Sequence, residues 1–463
     1  MPAKRLFAIL TIAVVIMTAA AALAVYMVIR PGSESKKEAQ LALSFKPFTL
    51  QELLTFDMKV DSASCGRPIR SAKLSKMEKQ VAEVRELPLK KSITFRSCSE
   101  AGVRAQINES ISRQTPAEEL EADRKLLVAL GLVKPEENLK QTLTNVYTEQ
   151  IAGSYNEEDK EITVVEGKGL GTIMDELTIV HEITHALQDQ NFHLDRPPLD
   201  NEAYSGDNNL AIESLAEGDA MTAMLDYAKE YVDMAKLLKE ELKGLEGSQV
   251  SSEQLDRAPL YIRRSLLFPY EEGMVFVIAL KERKGIAGID AAFADPPLSS
   301  EQIMHPDKYI GRRDNPRTVP LADISGILGK KWKMINSDTL GEFDVGVWFE
   351  QLSGMIASRD VAGGWGGNTI QYYRGPGGKY VVVNAFVWDT PADARQFFDG
   401  YAGLIEDRFG KKAGEVEASP ARDVWKADGE YFYSGLAGDG TLCIQAPDRA
   451  TLDLVLRQFP NYP

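Results

Sequence analysis

His181-Glu182-Ile183-Thr184-His185 decides how the rest of this chain is read. It is an H-E-x-x-H string inside a stretch, Met174 to Asn191, that holds neither proline nor glycine. Histidines at i and i+4 share one face of a helix, so two imidazoles can hold one metal ion. Glu182, rotated by about 100° from His181, lies toward the same side and can take a proton from water there. Leu177, Val180, Thr184 and Leu187 form an adjoining stripe that predicts a buried helix. The plain alternative is a pair of solvated histidines on an amphipathic surface. With only four histidines in 463 residues, a chance pairing of two around a glutamate is rare, and the metal reading is preferred.

A catalytic zinc takes three protein ligands and keeps one open position. The extended pattern with a third histidine needs glycine at 188 and histidine at 191, where this chain has Gln188 and Asn191. The third ligand is therefore expected to be a carboxylate from a second helix. The stretch Leu210 to Tyr227 carries Glu213 and Glu217, four apart on one face. Either can ligate while the other orients a histidine.

His181 to His185 followed by a helical glutamate resembles the gluzincin class of zinc metallopeptidases. The longer strings His181 to Gln190 and Ala216-Glu217-Gly218-Asp219-Ala220 are similar to a poorly characterised group of membrane-anchored bacterial metalloprotease-like proteins. Pro296 to Pro306, Gly364-Trp365-Gly366-Gly367 and Trp388-Asp389-Thr390 match the same group, so the resemblance covers about residues 80 to 400. It implies a zincin-like domain, a Zn²⁺ cofactor, and a peptide or protein substrate cleaved by water that Glu182 activates at the metal. A ligand glutamate followed by glycine corresponds to Glu217. A ligand followed four positions later by an acidic supporting residue corresponds to Glu213. The Glu-Gly match selects Glu217 beside His181 and His185. The resemblance also implies that the hairpin before the motif helix presents an edge strand to an extended peptide.

Two histidines remain. His193 follows the motif helix at a spacing that suits a surface or supporting residue. His305, in the Pro-flanked string Met304-His305-Pro306, is either a turn residue or a donor to the oxyanion that develops during attack, and it is carried forward as a catalytic candidate with Glu182. Tyr155 and Tyr270 are weaker candidates for the same donor role.

Outward from the motif, Ile151–Tyr155 and Glu161–Val165 flank a polar turn and predict a β-hairpin. Thr115-Pro116-Ala117-Glu118 reads as a helix start, and Gly131 is placed to end that helix. From Ile173 to Lys284 the pattern is helical, and from Gly285 to Val319 it is loop with short helices. Beyond that, strands at Thr369–Arg374, Tyr380–Trp388, Glu430–Leu436 and Thr441–Gln445, with helices from Thr390 and Asp448, predict a small α+β domain. The fold class expected is α+β, with a metallopeptidase domain over 46–320 and a C-terminal domain over 321–463.

Leu6 to Ile29 is an uncharged apolar run, about 36 Å long as a helix and sufficient to cross a membrane. Ala22-Leu23-Ala24 offers a cleavage site, but the length fits an uncleaved single-pass anchor over 1–31, a linker over 32–45 and an extracytoplasmic body. Such a compartment allows Cys65 and Cys98 to pair, leaving Cys443 free. The formal net charge of −15 argues against nucleic acid as a partner. A different class of function, an envelope binding or scaffold protein with a structural or vestigial zinc site, is the alternative.

Overall fold

The computed structural model describes residues 9–11 and most of 66–463, apart from 67, 115–116, 151, 158, 168–170, 202–203, 238 and 240–252. The expected anchor, the linker, Cys65 and the Thr115-Pro116 helix start fall outside the described residues, except that Ile9–Thr11 form a short strand in place of helix. No helix among the described residues is long and apolar enough to cross a membrane.

The fold is α+β with two sheets. Strands β1 (Ile9–Thr11), β2 (Pro68–Ile69), β3 (Thr94–Cys98), β4 (Gly153–Asn156) and β5 (Glu161–Val165) form the first, in the order β1-β4-β5-β3-β2. Only the β3–β5 pair is parallel. β4 and β5 are the hairpin expected from the sequence. β1 runs antiparallel along the outer side of β4, with Ile9 opposite Tyr155 and Thr11 opposite Gly153, and pairs backbone groups that would otherwise form a free edge.

Helices α1 (Ala72–Arg85), α2 (Glu100–Gln114), α3 (Ala117–Leu130), α4 (Leu139–Gln150), α5 (Ile173–Phe192) and α6 (Gly206–Tyr231) follow in chain order. After them come α7 (Glu253–Arg257), α8 (Leu260–Lys284), α9 (Ile286–Ala294), α10 (Ser300–Met304) and α11 (Asp307–Ile310). α5, the motif helix, starts at a capping box in which Thr172 and Asp175 satisfy each other's backbone N–H groups. It is buried on all sides from Thr178 to Asp189. Its apolar residues Leu177, Val180, Ile183 and Leu187 share one core with Tyr155, Ile162, Met221, Tyr227 and Tyr270. That core clamps α5 between the hairpin and the pair α6–α8.

α6 and α8 cross at backbone contact. A Cβ on Gly218 would stand 2.1 Å from the Gly273 carbonyl oxygen, and one on Gly273 would stand 2.2 Å from the Ser214 carbonyl oxygen. Only glycine permits this approach.

The C-terminal part begins with α12 (Ser325–Leu328) and β6 (Lys333–Asp338), then α13 (Glu342–Ser353), α14 (Met355–Ala362), β7 (Trp365–Arg374) and β8 (Tyr380–Trp388). α15 (Pro391–Phe409), β9 (Gly414–Ser419), β10 (Arg422–Ala427), β11 (Glu430–Ala437), β12 (Gly440–Ala446) and α16 (Arg449–Leu456) complete it. Its antiparallel sheet has the order β6-β7-β8-β12-β11-β10-β9. Three strands, β6, β9 and β10, were not expected from the sequence. β6 and β9 are the two outer strands and mostly face solvent, so they carry no apolar alternation to read. β8 is buried on both faces: Val381, Val383 and Ala385 pack with Leu452 and Val455 of α16, while Val382, Phe386 and Trp388 pack with Phe397 and Tyr401 of α15.

The two parts share a core. Leu126, Ala129 and Leu130 of α3 lie in the same cluster as Trp348, Trp388 and Phe397. Trp348 Nε1 donates to the Leu130 carbonyl at 2.9 Å, and Arg408 Nη1 to that of Ala129 at 2.7 Å. Gly364-Trp365-Gly366-Gly367 has a packing role here: a Cβ on Gly367 would stand 2.1 Å from the Arg317 carbonyl oxygen.

Replacing Gly273 by alanine should lower the free energy of unfolding by about 1–3 kcal/mol through overpacking of α8 on α6. Gly403→Ala, in α15 where nothing lies within 4 Å of the added methyl, should leave stability unchanged or raise it by up to ~1 kcal/mol. Chemical denaturation of both variants measures the difference.

Candidate metal centre

His181 and His185 project from the same face of α5, and Glu217 reaches them from α6. His181 Nε2 lies 2.8 Å from His185 Nε2 and 3.0 Å from Glu217 Oε2, and His185 Nε2 lies 3.5 Å from the same oxygen. Donor atoms held about 2.0–2.1 Å from a tetrahedral zinc stand about 3.3 Å apart, and the observed separations bracket that value. All three side chains are 0% exposed. His181 Nδ1 and Glu217 Oε1 are buried with no hydrogen-bond partner among the described residues, which is costly for polar atoms. Two imidazoles and one carboxylate around a common point fit a divalent cation of the zinc type.

The electrostatics agree with that donor set. Burial pushes the His181 imidazole down to about 4, aided by His185 beside it, and pushes His185 down to about 3. Both rings are thus neutral near pH 7, the form that ligates metal. Burial raises the Glu217 carboxyl above its ordinary value, against the pull of His181 and of the Tyr270 hydroxyl.

Glu182 is also fully buried. Its Oε2 accepts the Tyr155 backbone N–H at 2.7 Å, which ties the carboxylate to β4. A Cβ on Gly153 would lie 3.3 Å from Glu182 Cγ, so the strand packs directly on this side chain. The Tyr155 hydroxyl turns away and donates to Asp189 Oδ2 at 2.6 Å, where Lys160 also pairs.

Glu213, the other expected ligand, is not among the three donors. His193 is the C-cap of α5, in a left-handed conformation, with its N–H on the Asp189 carbonyl. The structure places His305, the other catalytic candidate, beside Glu342. It caps α10 and pairs with Glu342 Oε1 at 2.9 Å, and 47% of its side chain is exposed. α10 docks through Ser300 on Asp207, at the start of α6, and Glu217 lies about 15 Å further along that helix. The string around His305 is thus a clamp: Ser300 and Gln302 are fully buried, and Lys308 pairs with Glu301 and Asp389.

Tyr270 is the residue that sequence reasoning undervalued. Its ring stacks on His181 with centroids 6.1 Å apart, its hydroxyl interacts with the Glu217 carboxylate, and it lies in the field of Glu182. No local pattern marks it, because the Gly218–Gly273 crossing is what brings it in.

Residues 331–456 match a family described as a domain of unknown function, DUF8575. This segment holds all elements from β6 to α16 and none of the metal-site residues. Neither the curated proteins nor the solved structures yielded a match to the chain.

Elemental analysis should find near one zinc per chain in the wild type and in Glu213→Ala, and well under half of that in Glu217→Ala. Equal loss in both variants would remove the distinction between the two glutamates.

Proposed function

We propose that this chain is a membrane-anchored zinc metallopeptidase. The observation that carries the proposal is the meeting of His181, His185 and Glu217 at one buried point beside Glu182. A purely structural metal has no use for a general base next to its ligands. Zinc held there would lower the pKa of water toward about 7 and polarise the scissile carbonyl. Glu182, its Oε2 held by the Tyr155 N–H, takes the proton of the attacking water and delivers it to the leaving amine. Of the candidate donors to the developing oxyanion, Tyr270 is supported over His305 by the contact of its hydroxyl with the Glu217 carboxylate and its stacking on His181.

The outer side of β4 suits an extended peptide, since β1 already pairs there in antiparallel register. A peptide pairing there would take the place of Ile9–Thr11, which insertion of 6–29 in a bilayer, favoured by its length and lack of charge, would draw away from β4. An extracytoplasmic body is supported by Cys98, which is disulfide-bonded, whereas Cys443 is free and buried.

The full burial of all four side chains favours a second reading, a binding protein with a structural zinc. Glu182→Gln in the detergent-solubilised full chain separates the two. Under the peptidase reading it retains zinc while hydrolysis of a peptide library falls by about 10²–10⁴-fold; unchanged hydrolysis in this variant would sink the mechanism. Alkaline extraction of membranes should leave the full chain in the pellet, and release into the supernatant would argue for a cleaved signal instead.

A further inference from the structure

A second set of buried polar side chains lies behind the ligands, and the steps above do not use it. His185 Nδ1 is 2.8 Å from Gln188 Oε1. Gln188 Nε2 is 2.9 Å from both the Ala216 carbonyl oxygen and Asp219 Oδ2. Asp219 Oδ1 accepts from Arg85 Nε at 2.6 Å, and Arg85 Nη2 donates to Asp290 Oδ1 at 2.7 Å. The chain of contacts thus joins α5, α6, α1 and α9. Gln188 and Asp219 are 0% exposed and Arg85 is 3% exposed.

Donor and acceptor chemistry leaves one arrangement. The Ala216 carbonyl and the Asp219 carboxylate, ion-paired to Arg85, offer only lone pairs, so the Gln188 amide nitrogen must face them. Its Oε1 therefore faces His185, and being an acceptor it requires a hydrogen on His185 Nδ1. In a neutral ring the lone pair then sits on Nε2, the atom that points to His181 and Glu217.

We propose that Gln188 and Asp219, backed by Arg85, are positioning residues that hold His185 as its Nδ1–H tautomer and aim its Nε2 lone pair at the metal. The aim at a metal rests on the metallopeptidase reading, whereas the tautomer does not. The same glutamine ties α5 to the carbonyl next to Glu217, so one amide orients a histidine ligand and anchors the helix of the glutamate.

The test uses the full chain with ring-¹⁵N histidine, stripped of metal and then titrated with Zn²⁺ against a chelator. In the metal-free wild type at neutral pH, His185 should give the Nδ1–H pattern with an unprotonated Nε2. Gln188→Met keeps the length of the side chain and leaves Asp219 on Arg85. It should lose the tautomer preference and weaken Zn²⁺ binding about 10–100-fold. Asp219→Asn, which replaces one acceptor oxygen by a donor group, should do the same. An Nε2–H pattern in the metal-free wild type overturns the proposal whatever the metal affinity. So does a Gln188→Met variant with wild-type affinity, or losses of affinity across the variants that merely track their thermal stability. The Nδ1–H pattern in a wild type that binds no Zn²⁺ would support the relay and remove the metallopeptidase reading.

Discussion

Where α6 crosses α8, the two backbones touch at Gly218 and Gly273, and no side chain larger than hydrogen fits between them. Much of the site depends on this contact. Gly218 follows Glu217 directly, and Tyr270 lies three residues before Gly273. Close approach of the helices therefore delivers the glutamate and the tyrosine to the same side of α5, where Tyr270 stacks on His181. The Glu-Gly pair that draws attention in the sequence thus combines two demands, a carboxylate for the site and an absent side chain for the packing beside it.

Burial sets the chemistry that this packing makes possible. α5 lies inside the protein, so its polar residues must find partners there. Asp189 takes Tyr155 and Lys160, Glu182 takes the Tyr155 N–H, and Gln188 takes His185 and Asp219. At the centre His181 Nε2, His185 Nε2 and Glu217 Oε2 converge, while His181 Nδ1 and Glu217 Oε1 of the same side chains have no hydrogen-bond partner among the described residues. The same low-dielectric surroundings disfavour protonated imidazoles, so His181 and His185 remain lone-pair donors across the neutral range.

The C-terminal sheet meets this centre only through its supports. Its core includes the end of α3, its helix α13 meets α10 and α8 through Phe343 and Val347, and Lys308 pairs across to Asp389. Strings that look functional in one dimension, Pro296–Pro306 and Gly364–Gly367, are sites where chain segments press together. His305 stands at the end of that clamp, paired with Glu342.

Local periodicity carried the sequence reading as far as it went. Two histidines four apart define a helix face, a polar turn between β-branched runs defines the hairpin β4–β5, and Gly131 at positive φ ends α3. These depend on residues a few positions apart, so their geometry is written in the spacing. The outer strands β6 and β9 leave no such trace, since solvent accepts any polar residue on them. Arg85 and Asp219 are 134 positions apart and bond at 2.6 Å, and Tyr270 reaches Glu217 only because α6 and α8 cross. The sequence by itself determined which residue types could hold a metal and on which helix they stand. Tertiary structure decided which glutamate meets them, which tyrosine joins them and which amide aims the second histidine, because those contacts form between helices whose mutual distance no local pattern encodes.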